Sequence, residues 1–213
     1  MKTMLVLLTL AGLLAGAGQS GPVVTLEESY PMDDPMMSPL EPGYFLITSD
    51  NGFEDGAEAW DQYSHYPISS EYDQIKCGSF AAEGLCYLWQ CARDYCYSDT
   101  RQEVNVDGWT DIHVDFVYHV ETQDPTEWAD NSDVTIRTLQ DGFIVLLRAL
   151  SNQDHTYEWQ YARYQIDLLG QWSDVALVFA SATDEQNWTG FYYDGARMYG
   201  KPPHHAFAPV VFR

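Results

Sequence analysis

The chain has 213 residues and a formal net charge of -22 at pH 7. The length suits one large all-β domain or a smaller domain with extensions, and a hydrophobic fraction of 46% excludes global disorder. The negative charge excludes nucleic acid and anionic membrane surfaces as favoured partners, because both would repel the protein. The carboxylates either form a solvated surface or hold Ca²⁺, a hard ion that prefers oxygen ligands.

Residues 1–20 are typical of a secretory signal peptide. Lys2 precedes the apolar run Met4–Leu14, and the small residues Ala15 to Gly18 follow, so we expect cleavage after Ala17 or Ser20. The apolar run is too short to span a bilayer comfortably. We therefore predict a secreted, extracellular protein without membrane insertion.

The rest of the chain divides into three predicted parts. Residues 21–47 combine five prolines, three methionines and paired acids, which indicates a loosely ordered acidic arm. Residues 48–200 are predicted to form the folded domain, and residues 201–213 a C-terminal tail. Near the start of the domain, Asn51–Trp60 reads as a turn followed by aromatic anchors, and residues 61–76 read as a loop.

Four cysteines at positions 77, 86, 91 and 96 indicate two disulfides in an oxidising compartment. Three pairings are available. Cys86 and Cys91 share one predicted strand, where five residues of extended chain hold their Cα atoms too far apart to bond. This excludes a Cys86–Cys91 bond and leaves two pairings, of which we expect Cys77–Cys86 with Cys91–Cys96. A four-cysteine zinc site is the alternative, although its usual paired short spacings are absent.

The clearest alternation in the sequence runs from Trp109 to Glu121. Successive side chains of a strand point to opposite faces, so this segment predicts a central β-strand with an apolar row that a second sheet must cover. The row predicted to be buried is Ile112, Val114, Phe116, Tyr118 and Val120. The opposite, mostly polar row is Asp111, His113, Asp115, Val117 and His119, and we expect Asp111 and Asp115 to be exposed.

Further short strands are predicted on both sides of this segment, separated by turns. Phe143–Leu150 is expected to be a buried strand, because its β-branched content and flanking turns disfavour a helix. Eight or nine strands without an amphipathic helix predict an all-β, antiparallel sandwich or barrel. The other predicted strands are Leu85–Trp89, Glu103–Val106, Val134–Leu139, Tyr157–Ile166, Asp174–Ala180 and Phe191–Tyr199.

The polar row of the central strand is the first candidate site. Asp111, His113, Asp115 and His119 lie on one face, so they could bind a ligand or act as an acid–base pair; the alternative is the solvated face of a sheet. A glycosidase or polysaccharide lyase using this row is the enzymatic hypothesis, and hydrolysis would need two carboxylates. The motifs GxSxG and HExxH are absent.

Exposed tryptophans are the second candidate, because their rings can stack on the apolar face of a sugar. Trp128 and Trp188 lie in polar loops, which favours exposure, whereas most tryptophans of a sandwich belong to its core. Asn187-Trp188-Thr189 is also the single N-glycosylation sequon, and it predicts a glycan on Asn187.

Four motifs in order resemble jelly-roll β-sandwich modules of the MAM and carbohydrate-binding (galactose-binding-like) group. They are Asn51-Gly-Phe-Glu-Asp-Gly56 followed by Trp60, then Phe116-Val-Tyr-His-Val120, then Trp159 with Ile166-Asp-Leu168, and finally Tyr193-Asp-Gly-Ala-Arg-Met198. The resemblance covers roughly residues 50–200. It implies a jelly roll of concanavalin-like or galactose-binding-like type.

The resemblance also implies function. Such modules bind an extracellular glycan or protein without catalysis, so a lectin-like or adhesion protein is the leading hypothesis. Many hold a structural Ca²⁺ between the first and last strands, and Glu54 and Asp194 stand at the matching positions. A third hypothesis is an acidic structural protein of the extracellular matrix.

Overall fold

The computed structural model describes residues 22–32, 37–50, 52–64, 74–91, 96–123, 130–167, 172–184 and 187–203. These residues form twelve β-strands and two short 3-10 turns, Gly56–Glu58 and Asn152–Asp154. The strands are β1 (Val23–Pro31), β2 (Phe45–Leu46), β3 (Asp61–Ser64), β4 (Ile75–Cys77), β5 (Cys86–Gln90), β6 (Tyr97–Asn105), β7 (Thr110–Thr122), β8 (Asn131–Thr138), β9 (Ile144–Ser151), β10 (Gln160–Asp167), β11 (Asp174–Ala182) and β12 (Thr189–Lys201).

The strands form two antiparallel sheets packed face to face. Sheet A has the order β1-β10-β7-β12-β5-β4, and β2 pairs with the far end of β12. Sheet B has the order β3-β6-β11-β8-β9. This arrangement confirms the predicted all-β, antiparallel sandwich. Among the described residues, no helix is long and apolar enough to cross a membrane.

The core lies between the sheets, and β7 contributes its whole predicted apolar row to it. Phe116 is fully buried, and its ring centroid lies 5.9 Å from that of Phe179 on β11. Tyr164 of β10 and Tyr193 of β12 flank the same ring at 6.0 and 6.2 Å. One aromatic side chain from each of four strands thus meets at the centre of the core.

The sequence prediction missed four strands. Val23–Pro31 is a nine-residue strand rather than part of a loose arm, and it pairs with β10 along its length. It is an edge strand with nearly every residue exposed, so no apolar alternation marks it. Two further missed strands, β3 and β4, lie in the stretch read as a loop, and each forms the edge of a sheet. The fourth is β2, a two-residue strand.

Strand β9 also departs from its prediction. It was expected to be buried, but it is the edge strand of sheet B, and Ile144 and Leu146 are exposed. Its apolar run therefore serves only one buried face.

The predicted disulfides are confirmed. Cys77–Cys86 links β4 to β5, and Cys91–Cys96 links the end of β5 to the start of β6. The two bridges thus flank β5, which carries aromatic side chains on its outer face.

Candidate functional site

The outer face of sheet A carries a row of aromatic side chains across four neighbouring strands. Trp89 of β5 is paired with Tyr192 of β12, and Tyr192 is paired with His119 of β7. Trp159, which directly precedes β10, lies beside His119. Neighbouring ring centroids are 5.5–6.2 Å apart. We call these four residues the aromatic row; its three strand spacings cover roughly 14 Å.

Phe80 lies on this row. Its ring centroid is 5.0 Å from Tyr192, 5.4 Å from Trp159 and 5.6 Å from His119, and Tyr87 of β5 adjoins it at 5.3 Å. Phe80 is 41% exposed, whereas Tyr192 and His119 are almost fully covered. The surface presented to solvent is therefore Phe80, with half-buried Trp159 on one side and half-buried Tyr87 and Trp89 on the other. We call the row together with Phe80 and Tyr87 the aromatic platform.

Polar groups surround the platform. The Tyr192 hydroxyl donates to Glu121, Thr156 shares a hydrogen bond with His119 Nδ1, and Lys76 Nζ lies 5.8 Å from the Trp89 ring. Burial lowers the pKa of His119, so its ring is neutral at pH 7. Aromatic faces with a rim of hydroxyl, carboxylate and ammonium groups suit a polyhydroxylated ring, whose apolar face stacks while its hydroxyls bond at the rim.

In the middle of the outer face of sheet A, the prediction that Asp115 is exposed is wrong, because Asp115 is fully buried. Arg197 binds both of its carboxylate oxygens, at 2.8 and 3.0 Å, and the Tyr161 hydroxyl donates to it at 2.9 Å. Asp115 is thus a structural anion rather than a ligand-binding group.

The reason for this burial is a cover made by the chain itself. Met37 packs on Val117 and Tyr161, and the Ser38 carbonyl accepts a hydrogen bond from Arg197. Residues 37–44 thus lie over the polar row of β7, which the sequence alone placed in solvent.

The far end of the face is a closed hydrogen-bond cluster around Asp111. Its carboxylate accepts bonds from Lys201, Tyr44 and Gln165 and contacts His113. These partners, led by Lys201, hold the pKa of Asp111 well below its usual range. Asp111 is half-buried and not exposed as predicted.

The four predicted residues of this face do not form one site. His113 and His119 are six residues apart on one strand, roughly 20 Å. Asp111 and Asp115 are roughly 13 Å apart by the same rise, which exceeds the carboxylate separations of glycosidases. Of the four, His119 alone belongs to the platform.

A concavity of about 920 Å³, separate from the aromatic platform, lies where β1, β10 and the start of β7 meet the loop before β7. Half-buried Trp109 and Trp172 line it, together with Asp107, Gln165 and Asp167. Its lining of two tryptophans and several polar side chains also suits a sugar.

Glu54 and Asp194, the predicted calcium ligands, both bind the segment Ala82–Cys86. Glu54 Oε1 accepts the backbone N–H groups of Leu85 and Cys86, each at 2.9 Å. Asp194 Oδ2 accepts those of Ala82 and Glu83 at 2.6 and 2.8 Å. The described residues contain no group of three His, Cys, Asp or Glu side chains placed to hold a metal ion. Calcium here stays a prediction.

Asp194 should also make stability depend on pH. Burial raises its pKa from 3.8 to about 7, so the folded state holds this proton more tightly than the unfolded chain does. The resulting stabilisation is present below about pH 4 and is lost as pH rises through 7, by at most about 4 kcal/mol. Urea unfolding of Asp194→Asn should lack this fall, and the matched control Asp174→Asn should keep it. A fall of equal size in Asp194→Asn would contradict the assignment.

The loop tryptophans remain untested as ligand contacts. Trp188 is half-buried, and Trp128 lies outside the described residues. Asn187 is exposed, as a glycan acceptor must be.

Comparison with known proteins gives similarity at the level of structure. No protein-family model matches the sequence, and no curated protein matches it. The structure is similar to the family 61 carbohydrate-binding module TmCBM61, solved with β-1,4-galactotriose: the TM-score is 0.53 and the identity 13%, over 73% of this chain and 99% of that one. The shared feature is the β-sandwich fold.

Two Clostridium thermocellum modules are also similar. For the C-terminal family 22 carbohydrate-binding module of Xyn10B, the TM-score is 0.46 and the identity 14%, over 77% of this chain and 97% of the module. For the family 11 module of the cellulosomal cellulase Lic26A-Cel5E, the TM-score is 0.45 and the identity 13%, over 76% of this chain and 98% of the module.

Sequence reasoning did not assign Trp89, Trp159 and Phe80 to a binding site. A signal was present for part of the platform, because Tyr87 and Trp89 stand two residues apart and so share a face of β5. The missing information was the register between strands, which places Trp89 beside Tyr192.

Proposed function

We propose that this protein is a secreted, non-enzymatic carbohydrate-binding module that holds a glycan on the aromatic platform. The observation that carries the proposal is the solvent-facing part of the aromatic platform, in which exposed Phe80 lies between half-buried Trp159 on one side and half-buried Tyr87 and Trp89 on the other. Several neighbouring rings on one surface match a chain of sugar rings better than they match a single small ligand. The similar family 61 module was solved with a galactotriose, which supports the same class of ligand.

The negative charge of the protein limits which glycans can bind. A net charge of -22 repels sulfated and uronic-acid polymers, so we infer that the ligand is a neutral oligosaccharide. The enzymatic alternative is disfavoured, because Asp111 and Asp115 are both engaged in structural bonds. The matrix-protein alternative would not explain the aromatic row.

The test is a glycan-array screen followed by calorimetry with the strongest neutral ligand. Trp89→Ala and Trp159→Ala should each lower the affinity at least about tenfold, because aromatic side chains at the centre of an interface carry much of its binding energy. Trp109→Ala, in the separate concavity beside β1, is the matched control and should bind as wild type does. The reverse pattern would move the site to that concavity, and unaltered binding in all three would reject both sites.

The finer assignments are part of the same proposal. Cleavage after Ala17 or Ser20, a glycan on Asn187, adhesion through a protein partner and a MAM-type relationship rest on the sequence patterns given above. Mass mapping of the secreted protein checks the first two.

Calcium between Glu54 and Asp194 is likewise proposed from the resemblance alone. If it binds there, it binds the folded state, so chelation should lower the melting temperature of wild type. An unmoved melting temperature would remove calcium from the proposal.

A further inference from the structure

The segment that carries Phe80 is a closed loop. Residues 78–85, which we call the stapled loop, lie between the two cysteines of the Cys77–Cys86 disulfide. The backbone N–H of Gly78 donates to the Leu85 carbonyl at 2.7 Å, and that of Ala81 to the Gly78 carbonyl at 3.2 Å. The first bond closes the base of the loop and the second forms a turn that contains Phe80, but neither fixes where the tip of the loop lies over sheet A.

Two carboxylates from distant parts of the chain hold the loop from outside. Glu54 precedes β3 and binds the closing arm of the loop through the Leu85 and Cys86 N–H groups. Asp194 belongs to β12 and binds the N–H groups of Ala82 and Glu83, nearer to Phe80. Four hydrogen bonds to these two side chains, from four of the five consecutive residues 82–86, therefore tie this part of the loop to β12 and to the segment that precedes β3.

The sequence accommodates this clamp at Gly84. A Cβ atom there would lie 2.3 Å from Glu54 Oε1, and the residue has φ +61°. Glycine tolerates both the close approach and the left-handed backbone. A side chain at position 84 would therefore both strain the backbone of the loop and displace the Glu54 carboxylate.

We propose that Glu54 and Asp194 are positioning residues for ligand binding, which hold Phe80 on the aromatic row as its central contact with the glycan. This inference rests on the proposed function and adds a specificity-determining residue to it. Backbone N–H groups of residues 82–86 occupy one oxygen of each side chain, and these bonds alone form the clamp. Phe80 lies between Trp159 and Tyr87, so its placement sets the shape of the surface on which the sugar rings would stack.

The first test is a double-mutant cycle on glycan affinity. Phe80→Ala should lower the affinity about tenfold, as loss of a central aromatic contact does. Glu54→Ala should lower it in the same direction, and Glu54→Gln should not, because its amide oxygen still accepts both N–H groups. In the Phe80→Ala background, Glu54→Ala should cause no further loss. A full additional loss there would show that Glu54 acts by another route and would overturn the proposal.

The second test measures the hydrogen bonds of the clamp in the absence of ligand. Amide hydrogen exchange of Leu85 and Cys86 should speed up about tenfold in Glu54→Ala and stay at the wild-type rate in Glu54→Gln. If Glu54→Gln is as damaging as Glu54→Ala and chelation of wild type has the same effect, a cation rather than the clamp holds the loop.

The two ideas fail separately. Faster exchange with unchanged affinity in Glu54→Ala overturns the role of the clamp in binding. Unchanged affinity in Trp89→Ala and Trp159→Ala overturns the proposed function, whatever the exchange rates show.

Discussion

Arg197→Met is expected to destabilise the fold by about 3–5 kcal/mol, because it leaves the carboxylate of Asp115 buried without its main partner. Asp115 is fully buried, and the Arg197 side chain is 5% exposed. Methionine keeps much of the side-chain stem that packs near Tyr199, so the loss reports the ion pair rather than a cavity. Urea unfolding followed by tryptophan fluorescence measures the change.

Arg163→Met is the matched control for this experiment. Arg163 approaches the same carboxylate at 3.5 Å, but its side chain is 24% exposed, so its loss should cost less than Arg197→Met. The double variant Asp115→Leu with Arg197→Met should recover much of the lost stability, since no unpaired charge remains. If Arg197→Met alone costs less than about 1 kcal/mol, Asp115 is not buried as described.

Phe116→Ala is expected to cost a similar amount, about 3–5 kcal/mol, by opening a cavity at the centre of the core. The Phe116 ring touches aromatic side chains from three other strands, which cannot all move in to fill the space. Leu146→Ala is the control, because Leu146 is exposed on β9 and should change stability by less than about 0.5 kcal/mol. Equal midpoints in urea for the two variants would contradict the assignment of Phe116 to the core.

The burial of the face of sheet A that packs on sheet B could be predicted from sequence, and the burial of its opposite face could not. Alternation along β7 identifies the row that faces sheet B, because covering that row is what drives the packing of the two sheets. The same alternation assigned Asp115 to solvent. Met37 and Ser38, which cover it, stand far away in sequence, and a local pattern contains no information about such a cover.

The candidate site shows the same limit. Extension along β5 keeps Cys86 and Cys91 apart, which excluded one of the three disulfide pairings and left two. The aromatic row was not predictable, because Trp89, His119, Trp159 and Tyr192 become neighbours only through strand register. Glu54 and Asp194 were predicted as calcium ligands, and the partners observed for both are backbone N–H groups of the segment Ala82–Cys86.

The strand order of sheet A has a consequence for how the chain is made. Strand β7 is the centre of the sheet, yet both of its neighbours, β10 and β12, follow it in the sequence. During synthesis from the N-terminus, its apolar row therefore emerges long before either flanking strand exists. Strand β1 also cannot pair until β10 has been synthesised, since Val23 pairs with Asp167. Contacts of such large sequence separation form slowly. We expect the nascent chain to stay open until β12 is complete, and to need protection from aggregation during that interval.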